Sequence, residues 1–144
     1  MATFNFKFKT VQNVKKNFEK KVQKELALID SKIKGLENIN KELQQEIKNH
    51  KLSTENNTKV ADVQFIKGYA IYLDAIINSN NKLIDELIIE RNKKIDELVQ
   101  KSKEHKMFNK LEEHHLERFN KAQNKTELKN MDEIAIQKFA RIKK

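Results

Sequence analysis

The chain has 144 residues, 35% of them charged and 38% hydrophobic, with a formal charge of +9. So little apolar material excludes the deep core that shelters an active site, and suits an elongated helical protein whose apolar residues form a narrow seam. The absence of cysteine excludes disulfides, thiolate metal sites and a cysteine nucleophile, and no apolar run approaches the roughly 18 residues of a membrane span.

At the N-terminus Phe4, Phe6 and Phe8 alternate with Asn5 and Lys7, which is not the apolar core of a signal peptide. Proline is absent and the only glycines are Gly35 and Gly68, so sharp turns are few and long helices are expected.

A first helix is predicted over about residues 4–50. Its apolar stripe is Val11, Val14, Phe18, Val22, Leu26, Ile29, Ile33, Leu36, Ile39, Leu43 and Ile47, spaced by threes and fours throughout. From Leu26 it reads as a heptad seam, whereas the two successive fours at Phe18, Val22 and Leu26 relax a left-handed supercoil. At about 1.5 Å per residue this makes a rod of about 60 Å.

The polar segment from Asn49 to Thr58 has no apolar period and is rich in residues that compete with helical hydrogen bonds. A chain reversal is predicted at about 51–58, with Asn57 or Thr58 capping the second helix.

That short second helix, about 59–78, carries Val60, Val63, Ile66, Tyr69, Leu73, Ile76 and Ile77. Asn78-Ser79-Asn80-Asn81 then weakens helix propensity: the chain either breaks here, leaving a short intervening helix near the turn, or continues as helix. A long helix is predicted over about 82–142, its stripe passing through Leu83, Leu87, Ile95, Leu98, Phe108, Phe119, Leu128, Met131, Ile134, Ala135, Phe139 and Ile142. Ser102, His105 and His115 occupy stripe positions that should be apolar, a cost in stability that can fix register.

Two long stripes joined by a turn imply an all-α, antiparallel two-helix coiled-coil hairpin forming a single domain over 1–144, because each apolar face must be buried and the other arm is nearest. A homodimer of one long helix is the rival arrangement.

Charge is concentrated at the ends. Residues 1–24 hold seven lysines against Glu19 alone, a charge of +6, and residues 135–144 hold four cations and no acid, +4, leaving −1 for residues 25–134. A hairpin would bring both ends together as a cationic tip, studded by Phe4, Phe6, Phe8, Phe18 and Phe139, that steers toward an acidic surface or phosphate backbone. For any single lysine, solvation of a helix face is the simpler reading.

Catalytic patterns are lacking: there is no Gly-rich phosphate loop, no Gly-x-Ser-x-Gly and no His-Glu-x-x-His. Glu112-x-x-His115 matches half of a di-iron bundle motif without a second copy, and His114, Glu113, Asp96 and Glu97 read as ordinary helix surface. No enzyme activity, cofactor or metal is expected.

The opening Phe6-Lys7-Phe8 followed by Val11-Gln12-Asn13-Val14-Lys15-Lys16 resembles the start of the flagellar FliJ family, and Met131-Asp132-Glu133-Ile134-Ala135 with Lys138, Phe139 and Arg141 resembles its ending. Length, hairpin layout and basic end agree, so the resemblance spans the chain. It implies a cytoplasmic stalk and chaperone of the flagellar type III export system, similar to the shaft of rotary ATP synthases and held at the inner membrane through the export apparatus. The implied partners are the export ATPase hexamer, the cytoplasmic part of the membrane export gate, and export chaperones. On this resemblance the ring-binding residues would be Lys7, Lys9, Lys15, Lys16, Phe18, Lys138, Phe139 and Arg141, and the gate-binding residues Tyr69, Leu73, Ile76 and Asn80. Ile76 is bulkier than the family's usual alanine and Asn80 replaces a histidine; the competing reading is that Tyr69, Leu73 and Ile76 pack on the first helix.

Two alternatives stand beside this. One is non-specific nucleic-acid binding by a basic coiled coil, although arginine is limited to Arg91, Arg118 and Arg141. The other is the related stalk of a virulence-type secretion system.

Overall fold

The computed structural model describes residues 2–55 and 59–142. Two helices account for almost all of them: α1, Lys9–Glu55, of 47 residues, and α2, Val60–Ile142, of 83 residues. They pack against each other as an all-α hairpin with no strand among the described residues. Neither glycine has a positive φ, so both lie in ordinary helix and nothing interrupts either rod.

α2 passes straight through residues 78–81, so the separate intervening helix is absent. Asn80 and Asn81 do not compete with the backbone because their side chains are engaged across the seam: Asn80 Nδ2 donates to Asn40 Oδ1 at 3.0 Å, and Asn40 Nδ2 donates to Asn81 Oδ1 at 3.0 Å. α1 likewise runs on through residues 51–55. Asn57 and Thr58, expected to cap the second helix, lie outside the described residues; the first turn of α2 is marked instead by Val63 N–H donating to the Lys59 carbonyl at 3.1 Å, with Asp62 favourably placed against the positive helix end.

At the other terminus, helix begins at Lys9 rather than residue 4. The alternating aromatics explain the difference. Phe4 lies 5.5 Å from Phe119 and Phe6 lies 5.6 Å from His115, ring centre to ring centre. Two residues of extended chain advance about 6.6 Å, close to the roughly 6 Å between α2 residues four apart, so an extended N-terminus places its phenylalanines in step with α2 where a helix would scatter them.

The chain divides into two compact units. In Lys20–Val99, Ile29, Ile33 and Ile84 form one buried cluster with Leu36 and Leu87 against it, and Ile47, Leu73 and Ile77 form another with Leu43, Tyr69 and Ile76. Between them in α1 lies buried Asn40. Ion pairs flank this seam: Arg91 to Asp30 at 2.7 Å, and Lys94 to Glu25 at 2.6 Å.

The second unit combines Met1–Glu19 with Gln100–Lys144. Its seam is polar. Gln12, only 6% exposed, donates through Nε2 to Asn109 at 2.8 Å and to Glu112 at 2.6 Å; Lys15 meets Glu104 at 2.9 Å; Glu19 meets His105 at 2.8 Å. The expected stripe residues Val11, Val14 and Phe18 sit beside this seam, 41%, 44% and 46% exposed. Along α1 the inward positions of this unit are therefore 12, 15 and 19.

Candidate functional site

The expected tip does not form as a single surface. Gln123 Nε2 donates to the Ala2 carbonyl at 3.0 Å, which sets the N-terminus beside residue 123 of α2. From there α2 continues to Ile142, about 28 Å further at the helical rise. Every residue from 124 to 142 is exposed. The reason is a mismatch of arm lengths, 47 residues in α1 against 83 in α2.

Lys7, Lys9, Lys15, Lys16 and Phe18 stay alongside the paired part of α2, where several are already engaged. Lys9 lies 3.8 Å from Glu112, Lys15 is bonded to Glu104, and the Lys7 ammonium is 6.0 Å from the Phe8 ring. The hydrogen bond from Lys15 holds the Glu104 carboxyl below its ordinary value. Phe18 is approached by the Lys101 ammonium at 5.6 Å from its ring centre. Lys138, Phe139 and Arg141 instead ride on the projecting helix, with Leu128, Met131, Ile134 and Ile142 also in solvent. The structure thus separates the eight candidates into a group beside the seam and a group on the tail.

The four gate candidates are neighbours on α2, but the hairpin uses most of them. Leu73 is 3% exposed in the core with Ile47 and Ile77, Ile76 packs on that cluster, and Asn80 is bonded to Asn40. Tyr69 donates its hydroxyl to Glu46 at 2.7 Å, a bond that raises the phenol's pKa. Its ring belongs to a surface ladder that the apolar stripe did not single out: Phe65 stacks on it at 6.5 Å, Tyr72 at 6.4 Å, and His50 meets it edge-on at 4.9 Å. Phe65, Ile71 and Tyr72 are all largely exposed. The spacing of Phe65 and Tyr72 from Tyr69, four before and three after, is a helix-face signal that was present in the sequence.

Among the described residues no group of His, Asp or Glu side chains is placed to hold a metal, and no helix is long and apolar enough to cross a membrane. Glu112 of the half di-iron motif is taken up by Gln12 and Lys9, and His115 lies edge-on to Phe6. The arrangement offers surfaces for docking: a projecting basic helix with exposed apolar side chains, and an aromatic ladder near the end of α1.

No curated protein and no solved structure matches this chain. The model of one family, described as flagellar FliJ protein, matches residues 4–144, taking in the aromatic N-terminal segment, both helices and the projecting tail. The chain belongs to the flagellar FliJ family, non-catalytic components of the flagellar export apparatus.

Proposed function

We propose that the protein is a stalk of the export ATPase, its projecting helix entering the ATPase ring while the aromatic ladder faces the membrane export gate. The observation that carries this reading is the helix of residues 124–142, which extends beyond Ala2 with Leu128, Met131, Ile134 and Ile142 in solvent and Lys138 and Arg141 near its end. A lone amphipathic helix gains its stability from a surface that covers its apolar side chains, and a ring lumen lined by acidic and apolar groups would supply one. The lysines beside the seam add long-range attraction but are partly neutralised by Glu104 and Glu112.

On the gate side, buried Leu73 is a support, and Phe65, Tyr69, Ile71 and Tyr72 are the contact residues. Binding of export chaperones, and residence at the inner membrane through the apparatus, accompany the same reading.

Stimulation of the purified export ATPase tests it. Full-length protein raises hydrolysis and promotes the hexamer; a chain ending at Gln123 does neither. Equal stimulation by the shortened chain would overturn ring insertion by the tail. Retention on duplex DNA that fades with salt, with no effect on the ATPase, would favour the nucleic-acid alternative.

A further inference from the structure

The apolar side chains of the tail form a stripe of their own. Leu128, Met131, Ala135, Phe139 and Ile142 fall within about 80° of arc at 3.6 residues per turn, and all five are exposed. This stripe does not prolong the hairpin seam. Phe119 and Gln123 touch the N-terminal segment, and Leu128, two and a half turns beyond Phe119, lies on the opposite side of α2. Thr126, Asn130, Glu133 and Gln137, which continue the seam by threes and fours, are polar. The tail thus offers its apolar face to a partner that the hairpin does not contain.

The spacing of the stripe indicates what that partner is. It runs three, four, four and three, the same in either direction about Ala135. An antiparallel two-fold pairing requires such a pattern, because each residue meets the one equally far beyond the axis. Leu128 then packs on the partner's Ile142 and Met131 on the partner's Phe139. Ala135, the smallest of the five, meets its own copy where the helices come closest. Ile134 and Ile136, 53% and 67% exposed, border that point on its two flanks, each beside its own copy.

Charge selects the same arrangement. Residues 124–134 hold Lys125 and Lys129 against Glu127, Asp132 and Glu133, a charge of −1, whereas residues 135–144 carry +4. Antiparallel pairing lays the first stretch on the second. It also brings Glu127 to within about 3 Å along the axis of the partner's Arg141, on the same flank. A parallel pair would gather the cations after Ala135 of both copies at one end and set Glu127 near the partner's Asp132.

We infer that the tails of two copies pair antiparallel about Ala135, burying the exposed stripe of each, with Glu127 facing the partner's Arg141. The inference does not rest on the ATPase reading. Combined with it, tail pairing occupies the ring-entering helix, so dimer and ring-bound stalk exclude each other.

Sedimentation of the full-length chain from micromolar to millimolar tests this. The paired length, Leu128 to Ile142, is only about 21 Å, so a monomer–dimer equilibrium with a Kd on the order of 100 micromolar is expected. Met131→Glu should weaken it at least about tenfold without lowering the melting point of the hairpin. Glu127→Arg should weaken it several-fold, and adding Arg141→Glu to the same chain should restore it. Cross-linking reads the orientation, since the native chain has no cysteine. Under mild oxidation Ala135→Cys should give a disulfide-linked dimer, whereas Leu128→Cys should link only when mixed with Ile142→Cys. The proposal is overturned by a monomer at every concentration, by a dimer that survives Met131→Glu or removal of residues 124–144, by a charge swap that restores nothing, or by self-linking of Leu128→Cys. Loss of ATPase stimulation with self-association intact would count against ring insertion alone.

Discussion

Asn40 and Asn81 are hydrogen-bonded across the seam, Asn40 Nδ2 to Asn81 Oδ1 at 3.0 Å, with Asn40 only 7% exposed between two isoleucine-rich clusters. A buried amide with partners on the facing helix ties one register of α1 to one register of α2, because any slip leaves it unpaired in an apolar layer. Asn40→Ala, which loses both this bond and the one from Asn80, should lower the unfolding free energy by about 1–2 kcal/mol. Asn81→Ala, at an exposed position, should cost less. Thermal melts followed by circular dichroism compare the two, and equal losses would refute the register role of Asn40.

Gln12 occupies a seam position with its Nε2 bonded twice and its Oε1 buried without a partner. Such an orphan acceptor lowers stability, so Gln12→Leu should raise it by about 1 kcal/mol, with Glu112 still facing Lys9. The midpoint of urea unfolding is the measure, and a fall in midpoint would show that the polar seam stabilises more than an apolar one.

Leu73 and Tyr72 are adjacent in sequence and opposite in role. Leu73→Ala should cost about 2–5 kcal/mol through lost burial and the cavity left against Ile47 and Ile77. Tyr72→Ala should leave the melting point nearly unchanged and weaken binding to the cytoplasmic part of the export gate. Isothermal titration beside the thermal melts separates the two, and unimpaired gate binding by Tyr72→Ala would remove the aromatic ladder from the gate surface.

The ion pairs set a pH window. The hydrogen bond from Lys94 holds the Glu25 carboxyl below its ordinary value, the one from Lys15 does the same for Glu104, and Lys94 is in turn raised, chiefly by Glu25. A depressed carboxylate stabilises the fold above its unfolded pKa, and that contribution fades as pH falls through the lower folded value. A raised ammonium stabilises below its unfolded pKa and loses its contribution as pH climbs through the higher folded value. Melting temperature should therefore be flat from about pH 5 to 10 and decline on both sides. The double variant E25Q and E104Q should flatten the acid limb, and an unchanged limb would show that other carboxylates set it.

The tail of residues 124–142 is exposed throughout, so ending the chain at Gln123 should leave the melting point of the hairpin within experimental error while reducing total helical signal. A substantial fall would mean that the tail packs on its own chain in solution.

Much of this protein was written in its sequence. Lack of proline and scarcity of glycine dictate helices, the alternation from Val22 to Ile47 dictates a paired seam, and the aromatic opening and basic close carry the family. Even the projecting tail was implicit, since a reversal just before residue 60 leaves far more chain after it than before. Tertiary structure alone decided which face turns inward at the N-terminal end. Val11, Val14 and Phe18 lie immediately beside Gln12, Lys15 and Glu19, and apolar period by itself favours the former. The polar face wins because Asn109, Glu112, Glu104 and His105 on α2 present it with partners, and because the extended phenylalanines already cover His115 and Phe119. Periodicity identifies a helix with an apolar side, but the choice between adjacent faces depends on what the opposing helix offers, and that is known only once the two are paired.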